Sequence, residues 1–418
     1  MDPTPEAPLR ARQGTDRTKR LIVLSGLGAL VVAAVLGFVL TRPSSWKRSG
    51  PPITVSGWAP YWQPEAALAS FSDNTAAFSD VSMFAYHAIA ADAVSPYDGV
   101  DPNTQTSFAQ HAAPAGVALT ASVIDDTAPG AMAAILADPA QRAVHVQTIV
   151  DFANKNRFDG IDLDYEKFAF SDGRATWAST SPNWIAFLGE LAAGLHSAGK
   201  TLTVSVPPVY DGGQTADSGF WVYDYAAMGE IVDHIRIMAY DYSTSEPGPI
   251  APIDWVTKAV TAAKQLVPPA KLVLGVPVYG YDWPQEITGT CPVGQDPKRR
   301  NLSTKSAAEL AASKGIVPTW SAGDAERTFR YQEQLLGNDS AGNATTCVVN
   351  HVVWYADADA VHARAWLAER EDLSGIALWS LGSDDAHVWD AIDAARDNVA
   401  TWPPIVPAAS ATASTTAA

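Results

Sequence analysis

The nine residues Phe158 to Glu166, FDGIDLDYE, concentrate the chemistry of this chain. Read as a strand, they send successive side chains to opposite faces. Asp162, Asp164 and Glu166 then share one face, and Ile161, Leu163 and Tyr165 share the other. Asp159 has the outward parity at the strand's start, where a structural role is expected. Three carboxylates in one column are costly to bury and repel each other. They must share protons, and their pKa values must separate. Two chemistries fit such a column. One is acid catalysis by a protonated Glu166. The other is an oxygen-only site for Mg²⁺ or Ca²⁺. A merely solvated, charged strand is opposed by the apolar alternation around the carboxylates.

The elements that must hold this column recur at regular intervals. Strands are expected near 53–59, 81–87, 117–124, 158–166, 201–207, 234–242, 271–280 and 375–382. Helical patterns lie between most of them. Examples are 131–156, 184–198 (entered through Ser181-Pro182 as N-cap and first residue), 357–371 and 385–399. Eight strands alternating with helices predict an α/β fold, a (β/α)8 TIM barrel, over residues 53–400. Active sites of such barrels lie at the C-terminal ends of the strands, which is where Glu166 falls. The last inter-strand gap is far longer than the others. Residues 281–356 therefore read as a small α+β insertion on the catalytic face, with strand-like stretches near 328–332 and 348–354.

Composition narrows the class. Apolar residues make up 47% of the 418 positions, enough for a large core. The net charge is −17, yet residues 1–50 are basic. A body this acidic repels phosphates, so nucleic acid is not an expected partner. Leu21 to Leu40 is an uncharged, mostly apolar run, long enough to cross a bilayer core. The heavier basic flank precedes it, in residues 1–20, and should stay cytoplasmic. A transmembrane signal anchor with an extracytoplasmic body is expected, a cleaved signal peptide being the alternative. Residues 41–52 read as a linker and 401–418 as a disordered tail. Export permits a disulfide between Cys291 and Cys347, the only cysteines. Chain entropy values such a closed loop at about 4 kcal/mol.

The stretch Asp159-Gly160-Ile161-Asp162-Leu163-Asp164-Tyr165-Glu166 resembles the DGxDxDxE signature of glycoside hydrolase family 18, the chitinase family. Met238-Ala239-Tyr240-Asp241 is similar to that family's M-x-Y-D motif on the sixth strand. Gly375 to Trp379 is similar to its eighth strand, which ends in a tryptophan flooring the sugar site. His351-Val-Val-Trp354-Tyr355 followed by Trp379-Ser-Leu-Gly382 resembles the branch of bacterial spore-cortex and germination hydrolases. The third strand departs from the S-x-G-G of many chitinases, reading Thr120-Ala121-Ser122-Val123-Ile124-Asp125.

The resemblance implies a retaining, substrate-assisted glycosidase acting next to N-acetylglucosamine, one of the exceptions to the two-carboxylate scheme. Glu166 would protonate the glycosidic oxygen while the substrate's 2-acetamido carbonyl attacks the anomeric carbon. Asp164 would hold the acetamido N–H, Asp162 would share a proton with Asp164, and Tyr240 would donate to the acetamido oxygen. Asp241 would bind the sugar, Trp379 would stack beneath it, and Trp58, Tyr86 and Trp283 are further stacking candidates. No metal or cofactor is required. A barrel that binds glycan without cleaving it is the alternative from another class.

Overall fold

The computed structural model describes residue 48 and residues 51–210, 218–397 and 399. Eight parallel strands close into a barrel: β1 (Thr54–Pro60), β2 (Phe78–Ala90), β3 (Ala118–Asp125), β4 (Gly160–Asp164), β5 (Thr201–Val206), β6 (His234–Ile237), β7 (Leu272–Pro277) and β8 (Gly375–Trp379). Each pairs with its sequence neighbours, and β1 pairs with both β2 and β8, so the ring is complete. Outward residues such as Val55, Val81, Leu163 and Ile376 are buried against the helices. The space inside the ring is different. It holds Ser56, Ser82, Ser122, Ser205, Asp162 and Arg236, all nearly inaccessible. A polar interior survives only where every donor and acceptor finds a partner.

Five aspartates cap helices. Asp101, Asp138, Asp224, Asp357 and Asp385 each accept a backbone N–H at a helix start. Carboxylates satisfy orphan donors there and meet the positive end of the helix dipole.

Three boundaries differ from expectation. The region 131–156 is two helices, Ala131–Ala137 and Pro139–Lys155. Pro139 holds Asp138 in an extended conformation, which ends the first and caps the second. The helix expected from Ser181 begins earlier and runs Trp177–Ser197 with Pro182 inside it. Buried Trp177 anchors that first turn by donating its indole N–H to the Phe168 carbonyl at 2.6 Å. Finally, β4 stops at Asp164 and β6 at Ile237, both short of the expected ends.

Between β7 and β8 lies a five-stranded antiparallel sheet. Its strands run Tyr279–Gly289, Arg300–Ser303, Thr319–Ser321, Glu326–Asn338 and Ala344–Tyr355, and the helix Thr304–Ser313 packs on it. Cys291 and Cys347 form a disulfide within this segment. Among the described residues, no helix is long and apolar enough to cross a membrane. The apolar run 21–40, the basic N-terminus and the tail 401–418 lie outside the described residues.

Candidate active site

The acid column follows from strand alternation and one close approach. A side chain on Gly160 would collide with Thr201 (2.9 Å to its backbone oxygen), so only glycine lets β4 and β5 meet there. Asp159 accepts the Leu119 N–H at 2.8 Å and serves the strand's start. Asp162 lies deepest, fully buried. Four donors lie within 2.9 Å of its oxygens: Trp58 Nε1 (2.8 Å), Ser122 Oγ (2.8 Å), Ser205 Oγ (2.6 Å) and Arg236 Nη1 (2.9 Å). Ser82 adds a longer contact at 3.4 Å. Protein groups thus approach both Asp162 oxygens, three of them within 2.9 Å of Oδ2 and Ser205 on Oδ1.

Asp164 and Glu166 face an open cavity of about 580 Å³ at the C-terminal mouth of the barrel. Burial, then the charges of Glu166 and Asp162, raises the Asp164 carboxyl well above its ordinary range. Its Oδ1 is buried and has no hydrogen-bond partner among the described residues. Glu166 stands just past β4, at the start of the short helix Lys167–Phe170. Burial, then the Asp241 charge, pushes its carboxyl up to about 7. The arrangement is a proton donor poised near neutrality beside an unfilled acceptor.

Tyr240 and Asp241 reach the same cavity because the chain leaves the sheet after Ile237. Ala239 N–H bonds back to the Ile237 carbonyl at 2.8 Å, and Asp241 is left-handed, with φ 57°. The Tyr240 ring lies against Gly275, where a Cβ would approach it to 2.9 Å. Burial, then the charges of Asp164, Glu166 and Asp241, raises the Tyr240 hydroxyl well above its ordinary value, so it remains a donor. Asp241 Oδ1 accepts from Tyr279 (2.5 Å) and Tyr281 (2.6 Å). Trp379 closes the floor, its ring parallel to Tyr240 within 10° at 6.5 Å and edge-on to Phe84 at 4.7 Å.

Three stacking candidates do not line this cavity. Trp58 is 1% exposed and sits beneath Trp379, edge-on at 5.6 Å. Its indole N–H serves Asp162 instead of a sugar. Tyr86 points outward, packing on Phe152 and Phe158 and lining a separate, larger hollow of about 880 Å³ outside the ring. The cause is a bulge between Phe84 and Tyr86, which inverts the parity of β2. Trp283 is buried and donates to the Thr244 carbonyl at 3.1 Å, behind the cavity wall.

Sequence reasoning missed Phe84, Tyr210, Phe220 and Trp255 in the lining. The last three come from loops and helices with no local signal. It also missed Arg236, although an arginine within HIRIM was a visible anomaly. Among the described residues, no three His, Cys, Asp or Glu side chains are grouped as metal ligands.

Comparison with known proteins gives the geometry a context. The model of glycosyl hydrolases family 18 matches residues 58–384. The cortical fragment-lytic enzyme of Bacillus subtilis (strain 168) is 29% identical over 245 residues, 58% of this chain and 50% of that protein. Chitinase A1 of Niallia circulans is 26% identical over 288 residues, 60% of this chain and 38% of that protein. A solved chitinase from Chromobacterium violaceum aligns with a TM-score of 0.66 at 26% identity, over 82% of this chain and 98% of that one. The chain spans about half the length of most of the curated relatives it matches.

Proposed function

The chain belongs to the glycosyl hydrolases family 18, and on that premise we propose that it is a retaining glycosidase. It cleaves β-1,4 bonds next to N-acetylglucosamine in chitin-like or peptidoglycan chains. The observation that carries this reading is the unpartnered, buried Oδ1 of Asp164 beside Glu166 in one cavity. That oxygen is the acceptor an acetamido N–H requires. With the N–H held there, the acetamido carbonyl oxygen attacks the anomeric carbon. Glu166 delivers its proton to the departing glycosidic oxygen as the C–O bond breaks. The product is an oxazolinium ion, whose positive charge faces Asp164. The Tyr240 hydroxyl orients the acetamido oxygen, and Trp379 stacks under the ring. Glu166, now a carboxylate, takes a proton from water, which opens the oxazolinium with net retention.

The apolar run 21–40 with its basic flanks supports an extracytoplasmic barrel held at a membrane. The relatives' names, chitinase and cortical fragment-lytic enzyme, support acetamido-sugar polymers as substrates. The test incubates the chain and its Glu166→Gln variant with β-1,4 N-acetylglucosamine oligomers and with purified peptidoglycan, and follows products by mass spectrometry. Products that depend on Glu166 are expected. Oligomer binding with no turnover by the unaltered chain would replace this reading by the glycan-binding one.

A further inference from the structure

Arg236 takes no part in the chemistry above, yet it touches two of its supports. It stands on β6 inside the ring, 2% exposed. Its guanidinium forks, donating to Asp162 Oδ2 at 2.9 Å through one nitrogen and to Asp80 through the other. It also lies 5.0 Å from the centroid of the Trp58 ring. Trp58 donates to the same Asp162 oxygen and carries Trp379 on its edge. One buried cation thus props both the acid column and the sugar floor. A planar fork suits this task, because it holds two acceptors at fixed angles where an ammonium would hold one.

The consequence falls on Asp164. Two of the close neighbours of Asp162 Oδ2, the Trp58 indole N–H and the Arg236 guanidinium, can only donate. A proton moved onto that oxygen would point at these donors and break the pair of bonds. We propose that Arg236 is a positioning residue for the hydrolysis: it locks Asp162 as a filled acceptor, so that Asp164 keeps its free oxygen for the substrate. This rests on the glycosidase reading. Without Arg236, Asp162 loses a donor and its compensating charge, and Asp164 gains a second partner below it. The resting site then splits between Asp164 turned to substrate and Asp164 turned to Asp162.

The experiment uses the full chain with Arg236→Gln and Arg236→Lys, well below the unfolding temperature of each variant measured by circular dichroism. Turnover is read on an N-acetylglucosamine tetramer. Binding is read with chitobiose thiazoline, a stable analogue of the oxazoline. For Arg236→Gln, kcat should fall at least about tenfold with KM within about twofold, and thiazoline affinity should fall with kcat. Arg236→Lys keeps the charge without the fork and should lie between. A folded Arg236→Gln chain with unaltered kcat and thiazoline affinity overturns the proposal. If Arg236→Gln does not fold, an unaltered Arg236→Lys chain overturns it equally. If the unsubstituted chain neither cleaves the tetramer nor binds the thiazoline, the glycosidase reading itself fails and takes this role with it.

Discussion

Asp241→Asn tests how the acid is held. Burial first, and the Asp241 charge second, push the Glu166 carboxyl up to about 7. At pH 7 about half of the molecules then carry the catalytic proton. An unperturbed glutamic acid would carry it in fewer than about 1%. The cleft thus raises the acid population roughly a hundredfold. Since burial is the larger cause, removing the Asp241 charge should lower the Glu166 pKa by only about half a unit. The acid works when protonated, so kcat/KM falls as pH rises through that value. Its alkaline limb should lie near pH 7 in the unsubstituted chain and about half a unit lower in the variant. Asparagine's Oδ1 can still accept from Tyr279 and Tyr281, so the wall behind it should persist. The assay is kcat/KM on N-acetylglucosamine oligomers from pH 5 to 9. A limb near 4.5 in the unsubstituted chain would refute the burial argument. A limb that stays in place or moves upward in Asp241→Asn would refute the role of its charge.

Tyr240→Phe should lower turnover about a hundredfold, as loss of one preorganised donor does, with the fold intact by circular dichroism. Glu166→Gln should change the pH dependence of stability as well as activity. The raised Glu166 pKa contributes stability that is full below about 4.5 and lost as pH rises through about 7. The variant should therefore gain on the unsubstituted chain between pH 5 and 8, by up to about 3 kcal/mol in urea unfolding. No gain would mean that Glu166 is not desolvated. Arg364→Met strands Glu326, fully buried and bonded to Arg364 Nη2 at 2.9 Å and to the Ile250 and Ala251 N–H groups. It should cost about 3 kcal/mol. KM should also rise, because the Ile250 carbonyl accepts the Tyr242 N–H at 2.8 Å and so closes the loop carrying Asp241 and Thr244. An unchanged KM would separate that loop from the buried pair.

The carboxylate column was legible because alternation in a strand is a local rule, and Asp162 and Asp164 obey it within five residues of β4. The helix break at Asp138-Pro139 was equally local, and was overlooked only because the apolar period runs across it. Tyr86 shows the limit. Its parity depends on a bulge created by pairing with β3, which no window of β2 reveals. Trp58 and Trp283, expected to stack on sugar, do not reach the cavity. Their neighbours turned them into supports, with indole N–H groups spent on Asp162 and Thr244.

Residue order alone determined the alternation of strands and helices and the acidic motif at the end of the fourth strand, since both are patterns of spacing along the chain; that Met238-Ala239-Tyr240-Asp241 leaves the sixth strand was not among them. The tertiary structure decided which oxygen of the column stayed free. Arg236, Ser122, Ser205 and Trp58 come from four different strands and converge on Asp162 only when the ring closes. The same closure desolvates Glu166 and brings Asp241 close enough to raise its pKa. Hydrogen bonds and Coulomb forces act across space, so the charge state of an acid belongs to the folded chain, not to its motif.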